Sequence, residues 1–389
     1  MQFFQPNPTS KSNRTKAWQT RLISCVLLIS SCGVTQPNLD QHHLQLPADT
    51  SPSTTALTRT QSECAAQLPL KHRIGQLLFP LITQSEFVLA GELASLGFLG
   101  GVVVLGSPDT RIRDDIAMFQ QQSLFGPAIV AVDEEGGRVQ RLSRITSRVP
   151  SARKVALTLG PNQARTLAAR HAAAIGELGF TMNLAPVADL DYSRAIGDRS
   201  FGRDELTVSS FAISTAEGII DAGLVPVLKH FPGHGRGSDS HHGLPVIPAV
   251  EFLRSKDLVP FIEVSRRKDI PIMVGHLVVE GLTNGLPASI SSAAVNGLLR
   301  SELGFEGLVM TDAFNMEAIT ASMNDAEAAE QSLAAGVDLV MLSSLGNTQP
   351  ALNRVFDSVV SGRIAENSIT ESFLRVMRTR KVDVCSLSE

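Results

Sequence analysis

Short apolar runs alternate with longer amphipathic stretches over most of the chain. The runs are Gln76–Leu81, Gly101–Leu105, Ala128–Asp133, Thr181–Pro186, Val225–His230, Ile272–Gly275, Leu308–Thr311 and Asp338–Leu342. Near-continuous apolar runs of this length suit strands covered on both faces, as in parallel sheets. Between them, Asn162–Leu178, Thr207–Ala222 and Asp325–Ala335 carry apolar residues at helical spacing, and Thr370–Arg380 predicts a closing helix. Eight strands, each followed by a helix, predict an α/β fold: a TIM-type (β/α)8 barrel in a single catalytic domain spanning 65–389. A doubly wound open sheet produces the same local signals, and the count of eight favours the barrel.

The first 64 residues break this pattern. Lys11, Arg14, Lys16 and Arg21 precede the apolar run Leu22–Ile29, which is too short to span a bilayer but suits a signal-peptide core. It ends in Ser30-Ser31-Cys32-Gly33, small residues before a cysteine, as in a bacterial lipobox. Residues 1–31 read as a lipoprotein signal peptide, Cys32 as the lipidated residue, and 32–64 as a flexible tether rich in Thr, Ser, Gln, Pro and Asp. An ordinary signal peptide with an incidental cysteine is the plainer alternative. Either way the domain is exported, and the lipidated form sits on the periplasmic face of the bacterial cell envelope, its membrane partner held through the anchor. Cys64 and Cys385 then remain, near the two ends of the domain. Export permits a disulfide and domain termini often lie close together, so a Cys64–Cys385 bond is expected, with two free thiols as the alternative.

Composition adds one exclusion. The 389 residues are 43% hydrophobic and 19% charged, enough for one large core, and the formal charge is −4. No basic stripe follows the first residues, which argues against a nucleic-acid partner.

Chemistry in a barrel collects at the C-terminal ends of strands, and the polar residues that interrupt the apolar runs fall there. They are Asp133, Asn183, Asp189, Lys229, His230, His276 and Asp312. One such residue merely marks where a core stops; five consecutive strand ends are harder to dismiss. Lys229-His230-Phe231-Pro232-Gly233-His234-Gly235-Arg236-Gly237-Ser238-Asp239-Ser240-His241 is a strand end followed by a Gly/Pro/Ser-rich loop, expected to be mobile. Its Asp239 and His241 can hydrogen-bond, which tunes an imidazole for proton transfer near neutral pH. A solvated polar loop is the bland reading. A metal site at Asp239, His241, His242 and His234 is another, against which the glycines and Arg236 argue. Asp312 at the end of Leu308–Thr311 is placed as a nucleophile. In Asp133-Glu134-Glu135-Gly136-Gly137-Arg138-Val139-Gln140-Arg141 the glycine pair reads as a close approach of backbone to a ligand, and Asp133 and Arg141 suit sugar hydroxyls.

Together these segments, with Asp198-Arg199-Ser200-Phe201-Gly202, resemble the β-N-acetylglucosaminidases (β-hexosaminidases) of glycoside hydrolase family 3, single-domain bacterial type, over about residues 70–380. The resemblance implies Asp312 as nucleophile and His241 as general acid/base oriented by Asp239. It implies Asp133, Arg141, Arg199, Lys229 and His230 as the groups holding a terminal N-acetylglucosamine. It implies a retaining hydrolase acting through a glycosyl-Asp intermediate, with no cofactor and no metal. The expected substrates are muropeptide fragments of peptidoglycan or short chitooligosaccharides, in keeping with peptidoglycan recycling by a monomer. Trp18 and Tyr192 are the only tryptophan and tyrosine, which favours small fragments over crystalline chitin. Two departures from the family pattern stand out. The stretch between Gly235 and Asp239 is one residue short, and Gly101–Pro108 lacks the Phe and Arg-Asn ending usual after that strand. Rival readings are an N-acetylglucosaminide phosphorylase, a Schiff-base lyase using Lys229, and a glycan-binding lipoprotein without catalysis.

Overall fold

The computed structural model describes residues 60–387. The signal peptide, Cys32 and nearly all of the tether lie outside the described residues. The domain begins earlier than expected, with a helix over Gln61–Gln67 started by a capping box between Thr60 and Glu63.

In chain order the strands are β1 Leu78–Ile82, β2 Gly101–Val104, β3 Ile129–Val132, β4 Glu134–Gly136, β5 Val139–Gln140, β6 Met182–Asn183, β7 Val225–Pro226, β8 Leu228–Phe231, β9 Val246–Ile247, β10 Ile272–Val274, β11 Val278–Val279, β12 Val309–Thr311 and β13 Val340–Leu342. The fold is α/β with parallel sheets. One sheet has the order β13-β1-β2-β3-β6-β7 and a second the order β12-β10-β8. Single parallel bridges join β8 at Lys229 to Val187, beyond the end of β6, and β12 at Met310 to Leu339, just before β13. β4 and β5 form a small antiparallel hairpin directly after β3, and β9 pairs with β11.

All eight expected runs contain a strand, including the weakly patterned first. The fifth is divided at Val227. Val225–Pro226 pairs with β6, and Leu228–Phe231 pairs with β10. β2, β3, β8, β12 and β13 are buried along their whole length, as strands between covering layers must be. The long helices span Pro161–Glu177, Glu205–Asp221 and Asp325–Ala334, within two residues of expectation. The closing helix starts earlier, at Glu366, because Glu366 and Thr370 both accept from the buried Arg73 guanidinium, at 2.5 and 2.7 Å. Its far end is tied down by Arg380, which donates to Gln76 Oε1 and to the carbonyls of Phe125, Gly126 and Pro127. Cys64 and Cys385 are bonded, joining the first helix to the last turn across 321 residues.

Candidate active site

Asp312 follows β12 immediately, and β12 carries it into a cleft of about 1100 Å3 counted with its open mouth. Asp133, Arg141, Arg199, Lys229, His230, Asp239, His241 and Asp312 all line that cleft, so the eight site residues expected from the sequence meet in one place. They come from strand ends and loops 179 positions apart at the extremes, Asp133 and Asp312 (312 − 133 = 179).

β8 contributes two consecutive side chains because its pairing is irregular. Lys229 pairs with Met273 and Phe231 with Val274, so His230 is an extra residue in the ladder. In a regular strand neighbours face opposite sides; a bulge of one residue re-aims the next side chain. Lys229 is almost fully buried, and its Nζ lies 2.5 Å from Asp133 Oδ1 and 2.6 Å from Glu135 Oε1. Burial works against the charge on Lys229, yet the two carboxylates hold its pKa above the usual lysine value. Glu135 is also gripped by both arms of Arg199, at 2.7 and 2.8 Å. Burial pushes the Glu135 carboxyl up, but Lys229 and Arg199 outweigh it and the pKa falls well below normal. Asp133 moves the other way, raised by burial and by the neighbouring Glu135 charge against the pull of Lys229. Arg199 therefore spends its fork on Glu135, which the sequence-based site omitted. Glu135 stands two residues from Asp133, and period-2 alternation along the segment is the signal that both face one way.

Arg141 differs from these. Its Nε is buried and has no hydrogen-bond partner among the described residues. A buried donor at the wall of a cleft is free to serve a group that enters it.

Asp189 organises the histidines. Its carboxylate accepts from His230 Nδ1 at 2.6 Å, from the His230 amide at 3.2 Å and from the His234 amide at 2.7 Å. This leaves His230 Nε2 facing Asp312, 3.9 Å from Oδ2. Burial raises the Asp312 carboxyl, but His230, His276, the Ala313 amide and Lys229 together hold it below the ordinary aspartate value. The Ala313 N–H donates to Asp312 Oδ1 at 2.8 Å, fixing its rotamer. His276 is fully buried beneath, between Ser289 Oγ at 2.8 Å and the Ala313 carbonyl at 3.0 Å, and burial lowers its pKa. Asp189 and His276 were legible as polar strand ends. Their partners lie 41 and 37 residues away, so their roles were not.

The loop after β8 is held by side-chain contacts despite its glycines. It holds two 3-10 turns, His234–Arg236 and Ser240–His242. Its root is pinned by Arg236, which donates to buried Asp257 at 2.8 Å and stacks over Tyr192 at 3.9 Å. Its tip docks through Ser240 Oγ on Met316 Sδ at 3.1 Å, four residues past the nucleophile position. On that tip Asp239 Oδ1 accepts from the His241 amide at 3.0 Å and lies 2.9 Å from His241 Nδ1. Burial pushes Asp239 up, but these His241 contacts together outweigh it and bring its pKa below normal. The His241 side chain is 58% exposed, at the mouth of the cleft. With Nδ1 donating to Asp239, the ring presents Nε2 for proton transfer. The missing residue before Asp239 does not break this pair.

The glycine pair serves a different end from the one expected. Gly136 and Gly137 have φ of +94° and +59° and turn the β4–β5 hairpin. A Cβ on Gly136 would lie 2.6 Å from the Pro150 carbonyl, and one on Gly137 2.6 Å from Ser151 Cβ. The close approach is to the protein's own backbone, and neither glycine lines the cleft. Where the family ending after β2 is absent, Val103 and Leu105 form an apolar patch of wall.

Comparison with known proteins agrees with this geometry. The model of the glycosyl hydrolase family 3 N-terminal domain matches residues 70–379. β-Hexosaminidase LpqI of Mycobacterium tuberculosis is 37% identical over 345 residues, covering 84% of this chain and 88% of that protein. The solved M. tuberculosis LpqI structure superposes with a TM-score of 0.77 at 36% identity, covering 82% of this chain and 96% of that one. A family 3 β-N-acetylglucosaminidase from Paenibacillus sp. FPU-7 gives 0.76 at 31% identity, covering 83% and 64%. With its catalytic-domain length matched and its polar strand ends converging on one cleft, the chain belongs to glycosyl hydrolase family 3.

Proposed function

We propose that this β-hexosaminidase releases non-reducing terminal β-linked N-acetylglucosamine by a retaining mechanism. The observation that carries the reading is the buried Asp312, its carboxyl held below the ordinary aspartate range, in the same cleft as the exposed Asp239–His241 pair. Asp312 attacks the anomeric carbon while His241 Nε2 gives its proton to the leaving oxygen, forming a glycosyl-Asp intermediate. His241 then takes a proton from water, which displaces Asp312. Asp239 keeps Nδ1 protonated and stabilises the imidazolium. Asp133, Arg141, Lys229 and His230 hold the sugar, with Arg199 acting through Glu135. The substrates are muropeptide fragments of peptidoglycan or short chitooligosaccharides. The chain works without cofactor or metal, as a monomer anchored through Cys32 at the periplasmic face of the envelope. The two parallel sheets are taken as one (β/α)8 barrel, supported by the two bridges that join β8 and β12 to residues flanking β6 and β13.

The test is release of p-nitrophenol from its N-acetyl-β-glucosaminide by wild type and Asp312→Ala. Turnover that vanishes in the folded variant supports the reading; a folded wild type without turnover refutes it. A phosphorylase is the second reading, favoured by an imidazole in place of a second carboxylate and by Arg138 and Arg141 in the cleft wall. Sugar 1-phosphate formed at millimolar phosphate would establish it.

A further inference from the structure

Between Asp133 and Glu135, which both meet Lys229, stands Glu134. Alternation turns its side chain the opposite way, towards the helix Pro161–Glu177. There Glu134 is buried, with Oε2 2.9 Å from His171 Nε2 and Oε1 accepting from the Leu142 amide at 2.5 Å. Its main chain is held as well: the amide donates to Asn183 Oδ1 at 3.1 Å and the carbonyl accepts from Asn183 Nδ2 at 3.0 Å. Neither Glu134 nor His171 lines the cleft. Behind them lies a second cavity of about 580 Å3 counted with its mouth, lined by Glu134, Glu135, His171, Ala164, Ala168 and Ile219, with Arg199 in the wall it shares with the cleft.

We propose that Glu134 and His171 are a positioning pair for sugar binding: their contact sets where Asp133 and Glu135 meet Lys229. The inference rests on the hexosaminidase reading for its kinetic test. A buried carboxylate held by two donors has one position, and the three-residue segment 133–135 is too short to let its neighbours drift independently of it. Loss of the His171 contact lets the segment relax, and the sugar-holding carboxylates move with it. Neither residue touches the reacting atoms, so the effect falls on binding rather than on the chemical step.

The experiment compares wild type, His171→Ala and His171→Gln, whose amide nitrogen can still donate to Glu134. With the aryl N-acetylglucosaminide, His171→Ala is expected to raise KM about 10- to 100-fold, the scale of a displacement of order 1 Å, with kcat little changed. His171→Gln should stay close to wild type. Added imidazole, which can fill the space left by the His171 ring, should lower KM of His171→Ala and leave wild type unaffected. A folded His171→Ala with wild-type KM overturns the proposal, as does a His171→Gln that is as impaired as alanine and an alanine variant that imidazole does not rescue. If His171→Ala does not fold, Glu134→Gln keeps the bond from Leu142 and weakens the one to His171; it must raise KM, and a wild-type value overturns the proposal. Amide hydrogen exchange over residues 133–142 reads the same displacement without turnover. Faster exchange in His171→Ala but not in His171→Gln supports the pair, and unchanged exchange overturns it. An inactive wild type would sink the hexosaminidase reading while this exchange result still judges the pair.

Discussion

Lys229→Met tests the charge cluster that holds the proposed sugar site. Methionine follows the lysine stem and fills most of its volume, so the perturbation is chiefly electrostatic. Removing one partner from a buried ion pair costs about 3–5 kcal/mol, because the other charge is left uncompensated. Here the lower end applies. Glu135 keeps the bidentate Arg199, so only Asp133, whose Oδ1 lies 2.5 Å from Nζ, loses its cation. The expected loss is about 3 kcal/mol at about pH 7.5. The pH dependence has a definite sign. Asp133 already has a raised pKa, and without Lys229 it rises further. A carboxyl whose folded pKa exceeds its unfolded one destabilises the fold above that value and stops doing so once protonated. The difference between variant and wild type should therefore shrink to about 1 kcal/mol at about pH 4.5. Wild type loses stability towards acid, since Glu135 is depressed and its contribution disappears as pH falls through its folded pKa. Urea unfolding followed by far-UV circular dichroism at both pH values measures this, with equal m-values as the check on comparable states. A neutral-pH loss under about 1 kcal/mol, or a difference that grows with acid, would refute the argument.

Other consequences can be checked in the same assays. His241→Ala should hurt oligosaccharide cleavage far more than aryl glycoside cleavage, by about 100-fold or more, because a nitrophenolate needs little protonation; equal losses would remove His241 as the acid. The depressed Asp312 carboxyl should keep the acid limb of kcat/KM for the aryl substrate below about pH 4, as activity is lost only when pH falls through its folded pKa. A limb near neutrality that survives in His241→Ala would contradict that assignment. Cys385→Ser removes a cross-link closing 321 residues, for which the chain-entropy model gives about 6 kcal/mol. Urea midpoints unchanged from wild type would show that Arg380 and the Gln61–Asp383 contact already hold the ends together.

How much of the site was legible follows from how local each signal is. An apolar run that ends in Asp312, or a loop that places Asp239 two residues from His241, states its chemistry within a few residues. The resemblance then joined these local pieces into one set, and the cleft contains that whole set. Glu135 was within reach of the same reasoning, since it alternates with Asp133. The glycine pair was misjudged because a glycine reports that something comes close and not what; the neighbour is the 150–151 backbone. The loop after β8 looked mobile by composition, yet its Arg236 and Ser240 tie it to Asp257, Tyr192 and Met316 in three other segments.

The chain alone therefore determined the period of its elements, the class of its fold and the residues that carry charge at strand ends, because these depend on near neighbours along the backbone. Only the tertiary structure decided the Asp189 bonds to His230 and His234, the bulge that turns His230 beside Lys229, the fork of Arg199 on Glu135 and the Glu134–His171 contact. Each of these joins residues tens of positions apart or depends on pairing register with another strand. Such contacts are chosen by packing and by the need to satisfy buried charge, which no local pattern records.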